Sequence, residues 1–197
     1  LNHSAGVVMK VVVFSEKFYP SGSGSELATY LFVRGMKHYC DKIVAVSLDS
    51  CLNTITYSNI GRNLTIIRFP SLFNNKYYYN MHPHTISDLI SKIVKETDVV
   101  YITHHWWTPI LIAKRYTKPI VVHLHDYIAI CPLALLTYKN SKFCTSLRTF
   151  KCMKCTYTHE IRENKIKRAI LSMMLSATMF KLLRRTIYLA DKFILPS

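Results

Sequence analysis

The segment Pro119–Cys131 has the sequence PIVVHLHDYIAIC and is the most informative part of the chain about the class of fold. After Pro119 comes a short run of apolar, mostly β-branched residues, and the polar residues His125 and Asp126 follow soon after. A short apolar run with such boundaries is typical of a strand buried on both faces of a parallel sheet. Ligands of these sheets bind beyond the carboxyl ends of the strands. We therefore expect His125 and Asp126 at the ligand-binding edge.

Patterns of strands and helices alternate along the rest of the chain, with short connections. Strands are predicted over residues 11–14, 42–47, 64–69, 99–103, 120–124 and 191–195. Helices are predicted from Glu26 to about Cys40 and over residues 85–97 and 109–116, whereas residues 49–63 are polar and predict a loop. In the first helix Leu27, Leu31 and Met36 recur at helical spacing. The alternation predicts an α/β domain with a doubly wound, mostly parallel, Rossmann-like sheet flanked by helices.

The length of 197 residues suits one domain, or one domain with an extension. Residues 1–8 lack the basic start and the long apolar stretch of a signal peptide, and Met9-Lys10 resembles a translation start. We therefore expect residues 1–8 to be an N-terminal segment that is disordered or not native, and residues 9–197 to form a single Rossmann-like domain. No apolar run reaches the roughly 18 residues that a membrane-spanning helix needs.

The chain is strongly basic, with 26 Lys and Arg against 11 Asp and Glu and a net charge of +15. This balance favours anionic partners, which include nucleic acid, phospholipid head groups and phosphorylated substrates. Residues Glu160–Tyr188 predict a long basic helix that is rich in Met and Leu. Such a helix can lie on an anionic membrane or pack its apolar face on the sheet, and both interpretations stay open. No recognisable nucleic-acid-binding module accompanies the charge, which disfavours nucleic acid.

Four cysteines with the spacing C-x12-C-x7-C-x2-C lie within residues 131–155, where no strand pattern is present. We expect a cysteine-rich insertion there. Four thiolates in one insertion favour a structural zinc ion. Its predicted ligands are Cys131, Cys144, Cys152 and Cys155. Two disulfides are the alternative. A redox pair at Cys152 and Cys155 is disfavoured, because the pair does not open a helix next to a first strand.

The loop Ser15–Ser25 contains Gly22 and Gly24 and leads into the first predicted helix. A dinucleotide fingerprint would need a third glycine at Leu27 and glycines directly after the strand, so we reject a nicotinamide or flavin site. Small residues before a helix can still let backbone N–H groups approach a phosphate at the positive end of the helix dipole. A flexible surface loop explains the same residues equally well.

Two histidine-containing segments follow successive strand patterns, His104-His105 after one strand and His125-Asp126 after the next. If these strands are neighbours, the side chains form a polar cluster at one edge of the sheet. Histidine titrates near neutral pH, so His125 with Asp126 is a candidate for a catalytic or substrate-binding pair. A histidine buried between helix and sheet is at least as common. The position beyond a parallel strand modestly favours the functional interpretation.

Four motifs occur in the order in which one enzyme family has them. Tyr19–Glu26, YPSGSGSE, resembles a P-x-x-x-G-G-x-E loop, with Ser23 in place of the first glycine of the pair. Val122–Asp126 resembles a strand that ends in T-x-H-D, and Cys131-Pro132 resembles the C-P pair that opens a cysteine-rich insertion in one subgroup. Ala190–Ser197 matches A-D-x-x-I-x-P-S. On these motifs the chain, from about Met9 onward, resembles the N-terminal domain of a GT-B glycosyltransferase of the large retaining family 4.

The resemblance implies two Rossmann-like domains that face each other across a cleft. The first would hold the acceptor and the second, absent here, most of the nucleotide sugar, so this chain alone is expected to be inactive. His125, beside Asp126, would contact the transferred sugar or its phosphate at the catalytic position. The residues expected near the donor diphosphate are Ser23, Gly24 and Ser25. The candidates on the acceptor side are Tyr19, His104 and His105.

The expected activity is therefore retaining transfer of a hexose from a nucleotide sugar to a glycan or lipid-linked acceptor of a cell-envelope polysaccharide. The charge of +15 favours a membrane-bound acceptor and a cytoplasmic protein, peripheral on the inner face of the cell membrane. The alternative is a non-enzymatic, zinc-bearing α/β module that binds nucleic acid or another polyanion. A hydrolase or kinase-like enzyme is disfavoured, since the sequence has no nucleophile elbow and no G-x-x-x-x-G-K motif.

Overall fold

The computed structural model describes residues 9–49, 51–70, 84–103, 106–127, 129–133, 137–138, 142–144, 149–162, 169–170, 173–174 and 179–195. The strands are β1 Lys10–Ser15, β2 Lys42–Asp49, β3 Thr56–Ile60, β4 Leu64–Pro70, β5 Val99–Thr103, β6 Ile120–His123, β7 Thr137–Tyr138, β8 Lys142–Phe143 and β9 Lys192–Ile194. The helices are α1 Gly24–Met36, α2 His84–Lys95, α3 Thr108–Arg115, α4 Thr149–Arg162 and α5 Met179–Ile187.

The chain divides into two compact units. The first contains the residues up to His123 together with Ala190–Ile194, and the second contains Leu124–Leu189 with Leu195–Ser197. A seven-stranded sheet with the strand order β3-β4-β2-β1-β5-β6-β9 forms the first unit. Its neighbouring strands are parallel except for β3 and β4, which are antiparallel. The predicted α/β class with a mostly parallel, Rossmann-like sheet is confirmed.

Strand β1 lies in the middle of this sheet, and the chain changes direction beside it. It continues from β1 to β2 and β4 on one side and then returns to β5, β6 and β9 on the other. Such a reversal opens a crevice at the carboxyl ends of the strands, where ligands of these folds bind. The central strands are almost continuous apolar runs, and Val12, Val13 and Phe14 of β1 are fully buried. Burial on both faces of a strand requires such a run.

Three aspartates join neighbouring strands at their amino ends. Asp41, Asp98 and Asp191 each stand directly before a strand, namely β2, β5 and β9. The N–H of each aspartate donates to the carbonyl of one residue near the start of the neighbouring strand, and its carboxylate accepts that residue's N–H at 2.7–2.8 Å. The residues bridged in this way are Met9, Lys10 and Ile120. The bridges satisfy backbone groups at the edge of the ladder, which would otherwise lose hydrogen bonds on folding.

Replacement of Asp191 by Asn is expected to change how stability depends on pH. The Lys114 side chain, 2.8 Å away, and the Ile120 N–H hold the pKa of the Asp191 carboxyl below its ordinary value. A carboxyl group with a lowered folded-state pKa stabilises the fold above its unfolded-state pKa, and this contribution disappears as the pH falls through the folded-state pKa. The urea midpoints of wild type and D191N should therefore differ most near neutral pH and converge in acid. The control is D88N, which changes an exposed aspartate of α2; identical pH profiles for D191N and D88N would contradict the expectation.

Strand β3 corrects the prediction of a loop over residues 49–63. Residues 56–60 pair antiparallel with β4, and Gly61, with φ +72°, begins the turn between the two strands. The strand is at the edge of the sheet, and its sequence TYSNI is mostly polar and partly exposed. Edge strands tolerate polar residues because one side of their backbone faces solvent. This explains why no apolar strand pattern is present.

Helix α1 buries a different face from the one that its leucines mark. Thr29 and Val33 are buried, whereas Leu27 is exposed and Leu31 is 54% exposed. Thr29 can be buried because its hydroxyl donates to the Ser25 carbonyl at 3.0 Å, one turn earlier. A polar residue thus lies on the buried face of α1, so the apolar spacing of the leucines misidentifies that face.

The second unit contains more regular structure than its cysteine pattern predicts. Strands β7 and β8 form a short antiparallel pair, and α4 begins at Thr149, well before the predicted helix start at Glu160. The insertion 131–155 is therefore not irregular throughout. Of the predicted helix Glu160–Tyr188, the described residues 160–162, 169–170, 173–174 and 179–187 are helical. Among the described residues no helix has the length and apolarity that crossing a membrane would need.

Candidate substrate site at the carboxyl edge of the sheet

Five polar side chains lie at one level near the carboxyl ends of five neighbouring strands. Ser15 is in register with Ser47, Ser47 with Arg68, and Thr103 with His123. The pairing of β1 with β5 places Ser15 at the level of Thr103. Residues in register on parallel strands point to the same face of a sheet. We call this set the polar row: Arg68, Ser47, Ser15, Thr103 and His123.

The middle of the polar row is buried, and its two ends are half-buried. The Thr103 hydroxyl donates to the Phe14 carbonyl at 3.3 Å, and the Ser15 hydroxyl donates to the Lys17 carbonyl. Ser47 is 1% exposed, and its hydroxyl has no hydrogen-bond partner in the described part of the chain. A buried hydroxyl without a hydrogen-bond partner lowers the stability of the fold by about 1–3 kcal/mol. The row therefore retains hydrogen-bonding capacity at the edge where ligands of this fold bind.

The loop between β1 and α1 follows the polar row directly, and a carboxylate fixes its end. Glu26 Oε2 accepts the Ser23 N–H at 2.7 Å, the Ser23 hydroxyl at 2.9 Å and the Ser25 hydroxyl at 3.1 Å. Ser23 is the N-cap of α1 and Glu26 stands three residues later, which is the spacing of a capping box. Both predicted donor-binding serines thus already hydrogen-bond to Glu26.

The two glycines of this loop differ in what surrounds them. Gly22 has φ +116°, and a Cβ built there would lie 2.5 Å from the Glu26 Cγ, so only glycine fits. Gly24 is the first residue of α1, and apart from its chain neighbours and the backbone of that helix, a Cβ there would meet no heavy atom of the part of the chain that the structure describes within 4 Å. The space beside Gly24 is open, at the helix terminus where the dipole favours an anion.

The predicted acceptor-side residue Tyr19 is part of an aromatic group at the start of α1. Its ring stacks on Tyr30 with centroids 4.8 Å apart and an interplanar angle of 23°. Phe18 meets the edge of Tyr30 from the core, and the Arg34 guanidinium lies 5.8 Å from the Tyr30 centroid. Tyr19 is 44% exposed, so part of its ring can contact a ligand. The Tyr19 carbonyl also accepts a long hydrogen bond of 3.4 Å from Arg68.

The predicted histidines are distributed over different parts of the chain. His125 and Asp126 follow β6 after one intervening residue, Leu124, and both are half-buried. They belong to the second unit, whereas the glycine loop and the polar row belong to the first. Their catalytic role stays a prediction. His104 and His105 lie outside the described residues. The sequence made these four residues site candidates; it also showed His123 at the end of the same apolar run but did not make it a candidate, and the sheet register assigns His123 to the polar row.

The cysteines do not support the zinc prediction. None of the six cysteines, all of which lie in the described ranges, is joined in a disulfide, so the alternative of two disulfides gains no support either. Burial is the main cause that raises the pKa of the Cys152 and Cys155 thiols, and the neighbouring Cys131 and Cys144 raise it further. A zinc site needs sulfurs that converge on one point, about 2.3 Å from the ion. No group of three or more His, Cys, Asp or Glu side chains in the described ranges is arranged to hold a metal ion.

Comparisons with known proteins give similarity at the level of solved structures. No family model matches the chain. No curated protein matches it either. The chain is similar to an E. coli structure described as trehalose-6-phosphate bound with UDP-2-fluoro glucose, with a TM-score of 0.39 and 12% identity over 75% of this chain and 38% of that one.

Two further structures are α,α-trehalose-phosphate synthases (UDP-forming) from Burkholderia species. The one from Burkholderia xenovorans, in complex with glucose-6-phosphate, has a TM-score of 0.39 and 14% identity over 65% of this chain and 35% of that one. The one from Burkholderia vietnamiensis has a TM-score of 0.36 and 12% identity over 64% and 34%. The chain thus spans less than two fifths of the length of each of these three structures.

Proposed function

We propose that this chain is the acceptor-side domain of a glycosyltransferase that transfers a hexose, with retention, from a nucleotide sugar to a glycan or lipid-linked acceptor. The observation that carries the proposal is the polar row at the carboxyl edge of a sheet that reverses direction beside β1. This is where the fold binds ligands. The hydroxyls and the imidazole of the row suit a ligand that is itself rich in hydroxyl groups.

The open space at Gly24 supports a place for the donor diphosphate. Glu26 engages the hydroxyls of Ser23 and Ser25 and the N–H of Ser23, so the part of α1 left for a ligand is the backbone at Gly24. A diphosphate there would benefit from the helix dipole. In this proposal Gly24 is the point of contact, and the two serines shape the loop rather than bind phosphate.

The sequence resemblance supplies the catalytic part of the proposal. His125, two residues after the end of β6, would contact the transferred sugar, and Asp126 would act beside it. Tyr19 would offer an exposed aromatic ring to the acceptor, since sugars pack their C–H faces on such rings. His104 and His105 stay as candidates on the acceptor side. Zinc is not part of this proposal.

The acceptor is proposed to be lipid-linked, which would place the protein at the surface of a membrane. The support comes from α5 and the residues that follow it, where Lys181 and Arg185 are exposed together with Leu182, Tyr188 and Leu189. Exposed basic and apolar side chains on one short helix suit the interface of an anionic bilayer. Arg184 differs from Arg185, because it is half-buried and its guanidinium donates to the Tyr188 hydroxyl at 3.3 Å.

The double variant K181E/R185E is expected to lose binding to anionic vesicles. Each basic residue near such a surface contributes about 1 kcal/mol, so losing two lowers the partition coefficient at least roughly thirtyfold. The measurement is flotation with vesicles of phosphatidylserine and phosphatidylcholine at low and high salt. K92E/R115E is the matched control, because it makes the same charge change at exposed positions of α2 and α3. If both double variants lost vesicle binding equally, the cause would be the change in net charge, and the result would contradict a membrane-binding face at α5.

The proposed activity is tested with the full-length natural protein. It would be incubated with a panel of nucleotide sugars and a membrane extract, and mass spectrometry would follow sugar incorporation into the extract. Transfer that is lost in His125→Ala, with an unchanged melting temperature, would support the proposed role of His125. Absence of both transfer and nucleotide-sugar binding in the wild type would refute the proposed function and leave the polyanion-binding alternative.

A further inference from the structure

A cleft in the first unit is lined by side chains that the proposed function has not used, and we call it the lysine cleft. Its volume of about 350 Å³ lies within the usual range of small-molecule sites, roughly 300–1,000 Å³. All of its lining residues belong to the first unit. They are Lys10, Lys42, Val44, Tyr57, Thr65, Ile67, Ile93, Glu96 and Thr97.

The lysine cleft is separate from the candidate substrate site. Val44 stands three residues before Ser47 of the polar row on the same strand, so the two side chains point to opposite faces of the sheet. Lys10 and Lys42 are the first residues of β1 and β2, so the cleft begins at the amino edge of the sheet. The donor and the acceptor are proposed to bind at the carboxyl edge. An inference about the lysine cleft therefore goes beyond the proposed function and does not rest on it.

Two ammonium groups lie at the amino end of the lysine cleft. Lys10 and Lys42 are exposed and in register on neighbouring parallel strands, which run about 4.8 Å apart. Within the described ranges neither ammonium group makes an ion pair or a hydrogen bond. Glu96 is the one carboxylate of the lining, so two lysines against one glutamate give the lining a net charge of +1. The carboxylates of Asp41 and Asp98 accept backbone N–H groups and do not line the cleft. The two ammonium groups repel each other unless an anion lies between them.

The floor of the cleft is apolar, and an aromatic ring lies at its other end. Val44, Ile67 and Ile93 are at most 8% exposed. Tyr57 of β3 pairs with Ile67 and is 62% exposed. Among the residues that the structure describes, no aromatic ring stacks on Tyr57. Its ring can therefore offer a face to a ligand.

The register of the strands gives the separation between the two ends. Ile67, opposite Tyr57, is in register with Val46, four residues after Lys42. Four residues of a strand span about 13 Å, and the two strand spacings from β2 to β3 add about 10 Å across the strands. The lysine side chains cover part of this separation. A ligand that reaches both ends needs an anionic group and a flat ring joined by a spacer, as in a nucleotide.

We propose that the lysine cleft binds a nucleoside diphosphate, with its phosphates between the ammonium groups of Lys10 and Lys42 and its base against the Tyr57 ring. Lysine binds phosphate as a point charge. Bases stack on aromatic side chains whatever their identity, because every base has a π-face. The apolar floor would lie under the ribose, and the net charge of +15 attracts such an anion to the protein.

The first test uses Tyr57 as a readout for this cleft alone. The full-length protein would be labelled with 3-fluorotyrosine, and the fluorine resonance of Tyr57 would be assigned by comparison with Tyr57→Phe. Titration with UDP, ADP or GDP should shift this resonance saturably, because the ring current of a stacked base acts on the fluorine. Inorganic pyrophosphate has no ring, so it should shift the resonance little and compete with the nucleotide. A Tyr57 resonance that does not move at millimolar nucleotide would overturn the proposal.

The second test removes the two charges. K10Q/K42Q should raise the half-saturating nucleotide concentration at least roughly tenfold, the lower end of the effect of losing a hydrogen bond to a charged group. K10R/K42R keeps both charges and should bind nearly as well as the wild type. K92Q/R115Q is the matched control, because it removes two exposed charges of α2 and α3 that do not line the cleft. This control should leave the half-saturating concentration unchanged.

The remaining outcomes also decide. Equal half-saturating concentrations in the wild type and K10Q/K42Q would overturn the proposal, because a nucleotide bound elsewhere would then move the Tyr57 resonance indirectly. A sugar phosphate that shifts this resonance as strongly as the nucleotides would overturn the assignment to a nucleotide. Melting temperatures identify any variant that fails to fold, and Lys42→Gln alone then replaces the double variant.

These results are independent of sugar transfer. A full-length protein that transfers no sugar refutes the proposed function and leaves nucleotide binding at the lysine cleft untouched. A Tyr57 resonance that does not respond to nucleotide refutes the lysine cleft and leaves the proposed function untouched.

Discussion

Gly24→Ala is expected to lower sugar transfer by the full-length protein about a hundredfold while leaving its stability unharmed. Beyond the adjoining residues and the backbone of its own helix, the added methyl group meets no heavy atom of the described residues within 4 Å, and alanine is a better helix former than glycine at this first position of α1. The rate of sugar transfer falls only if a ligand occupies the open space beside Gly24. A methyl group against a bound diphosphate would displace it by about 1 Å, and such a displacement can cost on the order of a hundredfold in rate.

Gly35→Ala is the matched control for this prediction. Gly35 lies near the end of the same helix, and by the same criterion a Cβ there also meets no described heavy atom within 4 Å. Both substitutions should maintain or raise the urea midpoint, but only Gly24→Ala should slow transfer. Wild-type transfer rates in Gly24→Ala would show that the donor does not contact this glycine. Gly22→Ala would be uninformative, because its positive φ and its contact with Glu26 make any substitution strained.

Trp106→Ala is expected to destabilise the first unit by about 3–5 kcal/mol, the usual cost of removing a buried aromatic side chain. Trp106 is fully buried, and its ring meets Phe14 of the central strand edge-on, with centroids 5.5 Å apart. Since a domain has only about 5–15 kcal/mol of stability in total, the loss is a large fraction of it. Urea unfolding followed by fluorescence and by circular dichroism measures this change.

Trp106→Phe separates the packing of Trp106 from its polar atom. The Nε1–H of Trp106 is buried and has no hydrogen-bond partner in the residues that the structure describes. Phenylalanine keeps an aromatic ring against Phe14 and removes this donor, whose burial costs about 1–3 kcal/mol. Removing this cost offsets part of the free energy that is lost with the smaller ring. Trp106→Phe should therefore lower the free energy of unfolding far less than Trp106→Ala. Equal decreases in the free energy of unfolding in the two variants would mean that the Nε1–H is hydrogen-bonded to water or to another group.

The strands of the central sheet could be predicted because their burial leaves a direct mark on the sequence. Four of them, β1, β2, β4 and β5, are apolar runs, and each is found within one or two residues of its predicted position. Strand β3 could not be predicted, since an edge strand needs few apolar residues and TYSNI has few. The packed face of α1 was also hidden, because Thr29 is polar and satisfies its hydroxyl within the helix.

The candidate site could be predicted only where a single segment carries the information. The glycine loop is such a segment, and its S-x-x-E spacing at Ser23 and Glu26 was a further signal that identifies the capping carboxylate. The polar row depends on the register between strands that are far apart in sequence. His123 belongs to the polar row only through the pairing of β5 with β6, which puts it in register with Thr103.

The return of the chain to the sheet at β9 has a consequence for synthesis on the ribosome. Strand β9 pairs with β6, but residues 124–189, which are most of the second unit, are translated between the two strands. The nascent sheet therefore emerges with β6 as an exposed edge, and an exposed edge is a template for pairing with other chains. Only the last residues of the segment Ala190–Ile194 cover it. The longer the translation of the intervening residues takes, the longer a chaperone would have to protect this edge.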